Sequence, residues 1–185
     1  MELIFLSLSM KPVFKTPPRT IMEVYKNLPE GTLAEIIDDV IYMSPSPVYN
    51  HQEVLLEISA QLKQHLKELG KVTIAPFDIY LNETNNAVQP DIAIILNSNK
   101  GTLNPDGHFH GVPEVIIEIL SPGNKDYDLV KKKELYERFG VIEYWIVDPQ
   151  SKTAIGYFLE YAQYTSLGTA QNSIPFRLLN HTIAF

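Results

Sequence analysis

The chain has no cysteine. That excludes disulfides, thiolate metal sites and a catalytic thiol; it is compatible with a reducing compartment, and a cytoplasmic location is the expectation. No stretch approaches the ~20 apolar residues of a membrane-spanning helix. Residues 3–8 are apolar, but the run is short, follows Glu2 and lacks a basic flank, so a signal peptide is not expected. Met10 offers an alternative start. There is no glycine-rich phosphate loop and no G-x-S-x-G elbow. Positive charge is also scarce: 15 Lys and Arg stand against 22 Asp and Glu, a formal net charge of −7. Bulk attraction to nucleic acid, which is dominated by phosphate contacts, is disfavoured, whereas a local basic patch is not excluded.

What is present points to one folded domain. The 185 residues are 45% hydrophobic and 20% charged, enough for a sizeable core. Residues 1–19, proline-rich and basic from Lys11, read as an arm, and residues 20–185 as a single domain. Thr20 suits the cap of a short helix over 21–27. Residues 33–43 read as a hairpin turning at Asp38-Asp39. The clearest helix runs over 51–69, where Val54, Leu55, Ile58, Leu62, Leu66 and Leu69 recur at helical spacing and Gly70 supplies a stop. Residues 72–81 and 88–96 read as an antiparallel strand pair, 97–111 as a loop and 113–120 as a strand. A helix over 126–139 ends at Gly140. Strands over 142–147 and 153–159 follow, then a weakly periodic tail with an edge strand over 176–179. The pattern predicts a mixed α/β fold, a mixed sheet flanked by two main helices.

Two acids are out of place in such a sheet. Glu118 lies within Val115-Ile116-Ile117-Glu118-Ile119-Leu120, a run that reads as a strand buried on both faces. A carboxylate there must be protonated, ion-paired or metal-bound. Asp91 opens a similar run behind Pro90, which places it at a strand entrance. If the strands are neighbours, the two carboxylates can converge on one divalent cation, and hard oxygen ligands favour Mg²⁺ or Mn²⁺ over zinc. The alternative leaves Asp91 on an exposed turn and pairs Glu118 with a lysine. Asp128, Lys132 and Tyr136 are spaced four apart and share a helical face, which reads as a solvated surface or as a lysine beside the acids. Glu35 is an outer ligand or a plain strand residue. Asp78 is structural or an outer-shell residue, and His51 a helix-capping or solvent-exposed residue that could instead touch a substrate. His108 and His110 have metal-like spacing but no third ligand nearby, so zinc is not expected.

Taken in order, several segments resemble one family. They are Glu35-Ile36-Ile37-Asp38, Ser44-Pro45-Ser46-Pro47 with His51-Gln52, Ala75-Pro76-Phe77-Asp78 and Val88-Gln89-Pro90-Asp91. Glu118-Ile119-Leu120-Ser121-Pro122, Asp128 with Lys132 and Tyr136, and Gly140 to Pro149 complete the series. The series resembles the Uma2 family of restriction-endonuclease-like proteins. The resemblance implies a PD-(D/E)xK nuclease core with Pro90-Asp91 as its PD element and Glu118 as its second acid. Leu120 stands where the general pattern has lysine, and the resemblance moves that lysine to Lys132. It further implies a Mg²⁺- or Mn²⁺-dependent DNA endonuclease with Asp91, Glu118, Lys132 and Glu35 at the site; cutting both strands of a duplex suits two-fold symmetry, so a homodimer is the expectation. A catalytically inactive nucleic-acid- or protein-binding module on the same fold is the alternative.

Overall fold

The computed structural model describes residues 17–121 and 127–185, with only the backbone at 127–129. The expected arm therefore lies, but for its last three residues, outside the described residues. Thr20 caps α1 (Ile21–Tyr25), its hydroxyl accepting from Glu23 N at 3.1 Å. Asp38 and Asp39, both at positive φ, turn β1 (Ala34–Ile37) back onto β2 (Val40–Met43). Two positive-φ residues give a turn whose twist matches the strands, and Asp tolerates that conformation. Next comes α2 (Tyr49–His65), which buries Val54, Leu55, Ile58 and Leu62 on one stripe. It stops short of Gly70. That glycine opens β3 (Gly70–Ile74) instead, where an added Cβ would come within 2.5 Å of Ile95 O.

The strands β4 (Ile79–Tyr80), β5 (Ala87–Val88) and β6 (Ile92–Leu96) follow. The antiparallel ribbon expected over 72–96 forms, but it is broken across two sheets: β3 pairs with β6, and β4 with β5. Pro76 and Pro90 stand at the two breaks, where a residue that cannot donate to a ladder does least harm. The expected loop over 97–111 contains a hairpin of β7 (Thr102–Leu103) and β8 (Phe109–His110). Next is β9 (Val115–Ile119), buried throughout. The expected single helix over 126–139 is a wide π-type turn, Tyr127–Lys132, running into α3 (Lys133–Phe139), and Gly140 ends it with φ of 87°.

The chain closes with β10 (Glu143–Asp148), β11 (Thr153–Glu160), β12 (Gln163–Gln171), β13 (Ser173–Phe176) and β14 (His181–Ala184). The sequence pattern does not reveal β12, because no residue of it is fully buried: it pairs with β11 and sends only Tyr164 and Leu167 against the cores. The edge strand expected over 176–179 is mostly the turn between β13 and β14.

The central sheet has the order β12-β11-β10-β9-β6-β3, with β9 and β10 parallel and the other pairs antiparallel. A second sheet runs β2-β1-β5-β4-β8-β7. One face of the central sheet packs on α2 and the β13–β14 hairpin through Ile58, Leu62, Ile117, Trp145 and Phe176. The other packs on α3 and the second sheet through Ile79, Val88, Ile116, Tyr136 and Tyr144. Each such aliphatic side chain, fully buried, stabilises the fold by roughly 1.5–3 kcal/mol. Alternation along β9 sends Ile117 and Ile119 toward α2, and Ile116 and Leu120 toward α3. Glu118 falls on the α3 side. Ile92 pairs with Ile117 in the β6–β9 ladder, so the next position outward sets Asp91 opposite Glu118.

Glu143, fully buried at the start of β10, ties the C-terminal hairpin to this sheet. Its carboxylate accepts from Trp145 Nε1 at 2.8 Å, Arg177 N at 3.0 Å and Leu178 N at 2.7 Å. Burial pushes this carboxyl above its ordinary range, against the pull of those three donors. Replacing it by Ala strands buried N–H groups, and urea unfolding should show a loss of about 2–3 kcal/mol. Because the folded carboxyl holds its proton more tightly than the unfolded one, its contribution is present below the ordinary carboxylate range and lost as pH rises through the raised value. Urea titrations across that window should show wild type falling relative to Glu143→Gln as pH rises.

Candidate active site

A pocket of about 390 Å³ opens where β6 and β9 end against β1 and the loop before α2. Glu35, Asp91, Glu118 and Lys132 line it, with His51 and Pro76 in its wall. Local sequence explains each placement. The break at Pro90 brings Asp91 to the mouth of β6. Alternation in β1 buries Ile36 against α1 and turns Glu35 with Ile37 toward the central sheet. The four-residue spacing of Lys132 and Tyr136 puts both side chains over Glu118.

The groups form one connected network. Glu118 Oε1 accepts from Lys132 Nζ at 2.9 Å and from Tyr136 OH at 2.7 Å. The same ammonium lies 3.1 Å from Glu35 Oε2, and Glu35 Oε1 accepts from Gln89 N at 2.9 Å. Asp91 Oδ2 accepts from Ile119 N at 2.7 Å and lies 3.0 Å from His51 Nε2. Asp91 N in turn is 3.4 Å from Glu118 Oε2. Glu35, Glu118 and Lys132 are each at most 6% exposed. Burial, and then the Glu118 carboxylate, hold the Tyr136 hydroxyl well above its ordinary range, so it stays a donor to Glu118. Among the described residues two carboxylates, Glu118 and Glu35, thus contact the buried lysine, and Asp91 stands beside Glu118. Carboxylates gathered in a low-dielectric pocket are a setting in which a cation could be held.

The sequence-derived candidates divide accordingly. Asp91, Glu118, Lys132, Glu35, Tyr136 and His51 come together. His51 is not the capping or exposed residue first expected: α2 starts two residues earlier, at Tyr49, and its first turn carries His51 inward to 4% exposure. Asp78 lines a neighbouring cavity, bonded to Tyr25 OH at 2.8 Å and Gln89 Nε2 at 2.7 Å. The side chain of Asp128 lies outside the described residues. His108 and His110 diverge, the first standing 3.6 Å from Asp78 Oδ2 and the second between Glu83 and Asp106. Gln89 is the residue that sequence reasoning passed over. Its backbone N holds Glu35 while its side chain holds Asp78, and the only sequence signal is its place directly before Pro90-Asp91.

Asp91 and Glu118, facing each other across an antiparallel pair, are the residues that fit a divalent ion. Among the described residues no group of three or more His, Asp or Glu side chains is assembled to hold a metal. Two carboxylate donors, with water and a phosphate oxygen to complete the shell, suit Mg²⁺ or Mn²⁺.

Comparison with known proteins agrees with this architecture. A family model described as "Uma2: Putative restriction endonuclease" matches residues 22–182. The crystal structure of a protein from Anabaena variabilis, titled a putative nuclease belonging to DUF820, matches with a TM-score of 0.69 at 20% identity, over 88% of this chain and 92% of that one. At that identity the likeness carries the fold alone, a mixed α/β core. No curated protein matches.

The ammonium of Lys132 is the counter-charge that the network's geometry requires. Lys132→Ala would leave Glu118 and Glu35 facing one another in a buried site. Chemical denaturation at neutral pH should register a loss of about 3–5 kcal/mol, the usual cost of breaking a buried ion pair on one side.

Proposed function

This chain belongs to the Uma2 family, and from that premise and the geometry of the pocket we propose that it is a metal-dependent endonuclease hydrolysing DNA phosphodiester bonds. The observation that carries the reading is the buried Lys132, held at 2.9 Å from Glu118 and 3.1 Å from Glu35 beside Asp91. A lysine among acids at the ends of two adjacent strands is the equipment of phosphodiester hydrolysis. Asp91 and Glu118 would hold Mg²⁺ or Mn²⁺. When bound, the ion supplies charge neutralisation at the scissile phosphate and a more acidic water.

The chain's own residues do the rest. Lys132 orients the attacking water and offsets charge that develops on phosphorus oxygens. Glu35, itself fixed by Gln89 N, holds that ammonium from the far side. Tyr136 steadies the Glu118 carboxylate, and His51 and Ile119 N steady Asp91. His51 is a positioning residue: it acts through Asp91. Two copies related by a two-fold axis would present one pocket to each strand of a duplex.

A second reading, a catalytically silent binding module, draws support from the net charge of −7. Cleavage of supercoiled plasmid in Mg²⁺ or Mn²⁺ separates the two. Asp91→Ala and Glu118→Ala should each lower the rate by roughly 100-fold or more. Cleavage that survives both changes would move the site elsewhere; DNA binding without cleavage by wild type would favour the silent module. Calorimetric titration with Mn²⁺ tests His51 independently of turnover. His51→Ala should weaken the ion by roughly 10–100-fold, and His51→Gln, which keeps a donor near the Nε2 position, should recover part of that loss.

A further inference from the structure

A second cavity, of about 540 Å³, adjoins the acidic pocket, and Gly31, Pro76 and Gln89 line both. Its character is different. Tyr25, Phe77, Tyr80 and His108 contribute aromatic rings to its lining, with Lys26 and Asp78. Asp78 is the informative group. Its Oδ1 is doubly engaged, accepting from Tyr25 OH at 2.8 Å and Gln89 Nε2 at 2.7 Å. Among the described residues its Oδ2 faces His108 Nδ1 at 3.6 Å, an ion pair when the ring is protonated but too long for a hydrogen bond. The carboxylate side chain is only 18% exposed. A carboxylate oxygen that no described donor reaches within hydrogen-bond distance, beside a buried His108 Nδ1 that also lacks a hydrogen bond and set among aromatic rings, suits a flat ligand that carries an N–H group.

Three further features fit a nucleotide. Lys26 sits over the Tyr80 ring, 4.9 Å from its centroid, and its ammonium is partly exposed and paired at 3.4 Å with an exposed Glu83, a surface pair that a backbone phosphate can replace. Gln89 joins the two cavities physically, its backbone N on Glu35 and its side chain on Asp78. A group seated against Asp78 is therefore one bridging residue away from the catalytic network. Burial, and then the Asp78 charge, hold the Tyr25 hydroxyl far above its ordinary range, so it remains a donor and keeps Oδ1 occupied.

We propose that this cavity receives an unpaired nucleobase of the substrate strand next to the scissile phosphate, its N–H edge on Asp78 Oδ2 and its ring among Tyr25, Phe77, Tyr80 and His108. The inference rests on the nuclease reading of the adjoining pocket. An acceptor-only carboxylate discriminates among bases. Guanine presents an imino and an amino N–H side by side. Thymine presents one N–H flanked by two carbonyl oxygens, which the carboxylate repels. A base held by this edge cannot be paired, so the substrate has a single-stranded or extruded nucleotide at that position.

Calorimetric titration of the full chain, without added metal, tests the cavity apart from turnover. Guanosine 5′-monophosphate should bind at least about tenfold more tightly than thymidine 5′-monophosphate, and Asp78→Asn should bring the two within about twofold. Phe77→Ala should weaken both. The wild-type comparison needs no variant, so misfolding of Asp78→Asn cannot rescue or sink the idea. Equal affinity for the two nucleotides, or binding of neither, would overturn it. A single-stranded oligonucleotide containing guanine should compete with the free nucleotide while the same sequence as a duplex should not. Competition by neither strand would reject the substrate-strand assignment. These readings use no cleavage, so an inactive chain that still discriminates guanine would fail the nuclease reading alone.

Discussion

Lys132 is a cation buried where three layers of the molecule meet. Its ammonium reaches Glu118 on the central sheet and Glu35 on the second sheet, while its backbone leads into α3. Without a positive charge at that point, two carboxylates would lie buried where the sheets come together, an arrangement that low dielectric makes severely unfavourable. With it, the sheets and the helix share one electrostatic contact. The same contact fixes the directions of both carboxylates, so the group that permits the packing also orders the pocket. Tyr136 adds a hydrogen bond from the same helix, one turn on.

The second constraint is the broken ribbon. Had 72–96 formed one continuous hairpin, Asp91 would sit in mid-ladder with its backbone committed to pairing. Instead the two segments part at Pro76 and Pro90, and the chain passes from one sheet to the other. The space opened there is lined by Pro76 and Gln89 on both of its sides. The acidic pocket and the aromatic cavity are thus two halves of one discontinuity, with Gln89 spanning them.

Some of this is legible in the residues. Glu118 is conspicuous because a carboxylate interrupts an otherwise apolar strand. Asp91 is conspicuous because proline marks its strand's entrance. Gly140 and the Asp38-Asp39 turn announce themselves through backbone conformations few residues accept. Other features leave no trace. No residue of the long strand β12 is fully buried, so no alternating hydrophobic period betrays it. The inward turn of His51 follows from where α2 starts, a choice made by the packing of the whole helix. The wide turn before α3 breaks the regular helical spacing that the residues 126–139 suggest.

Sequence alone therefore determined which groups are chemically out of place: the acid in a buried strand, the acid behind a proline, and a lysine with helical spacing to a tyrosine. Local periodicity and desolvation cost are properties of neighbouring residues, and both can be read along the chain. Only the tertiary structure decided that these groups meet. Register sets Asp91 across from Glu118, and the stacking of the second sheet brings Glu35 to Lys132. The break at two prolines opens a second cavity beside Asp78. Each of these is a contact between residues distant in sequence. Such contacts depend on how whole sheets and helices pack, and no local pattern encodes that.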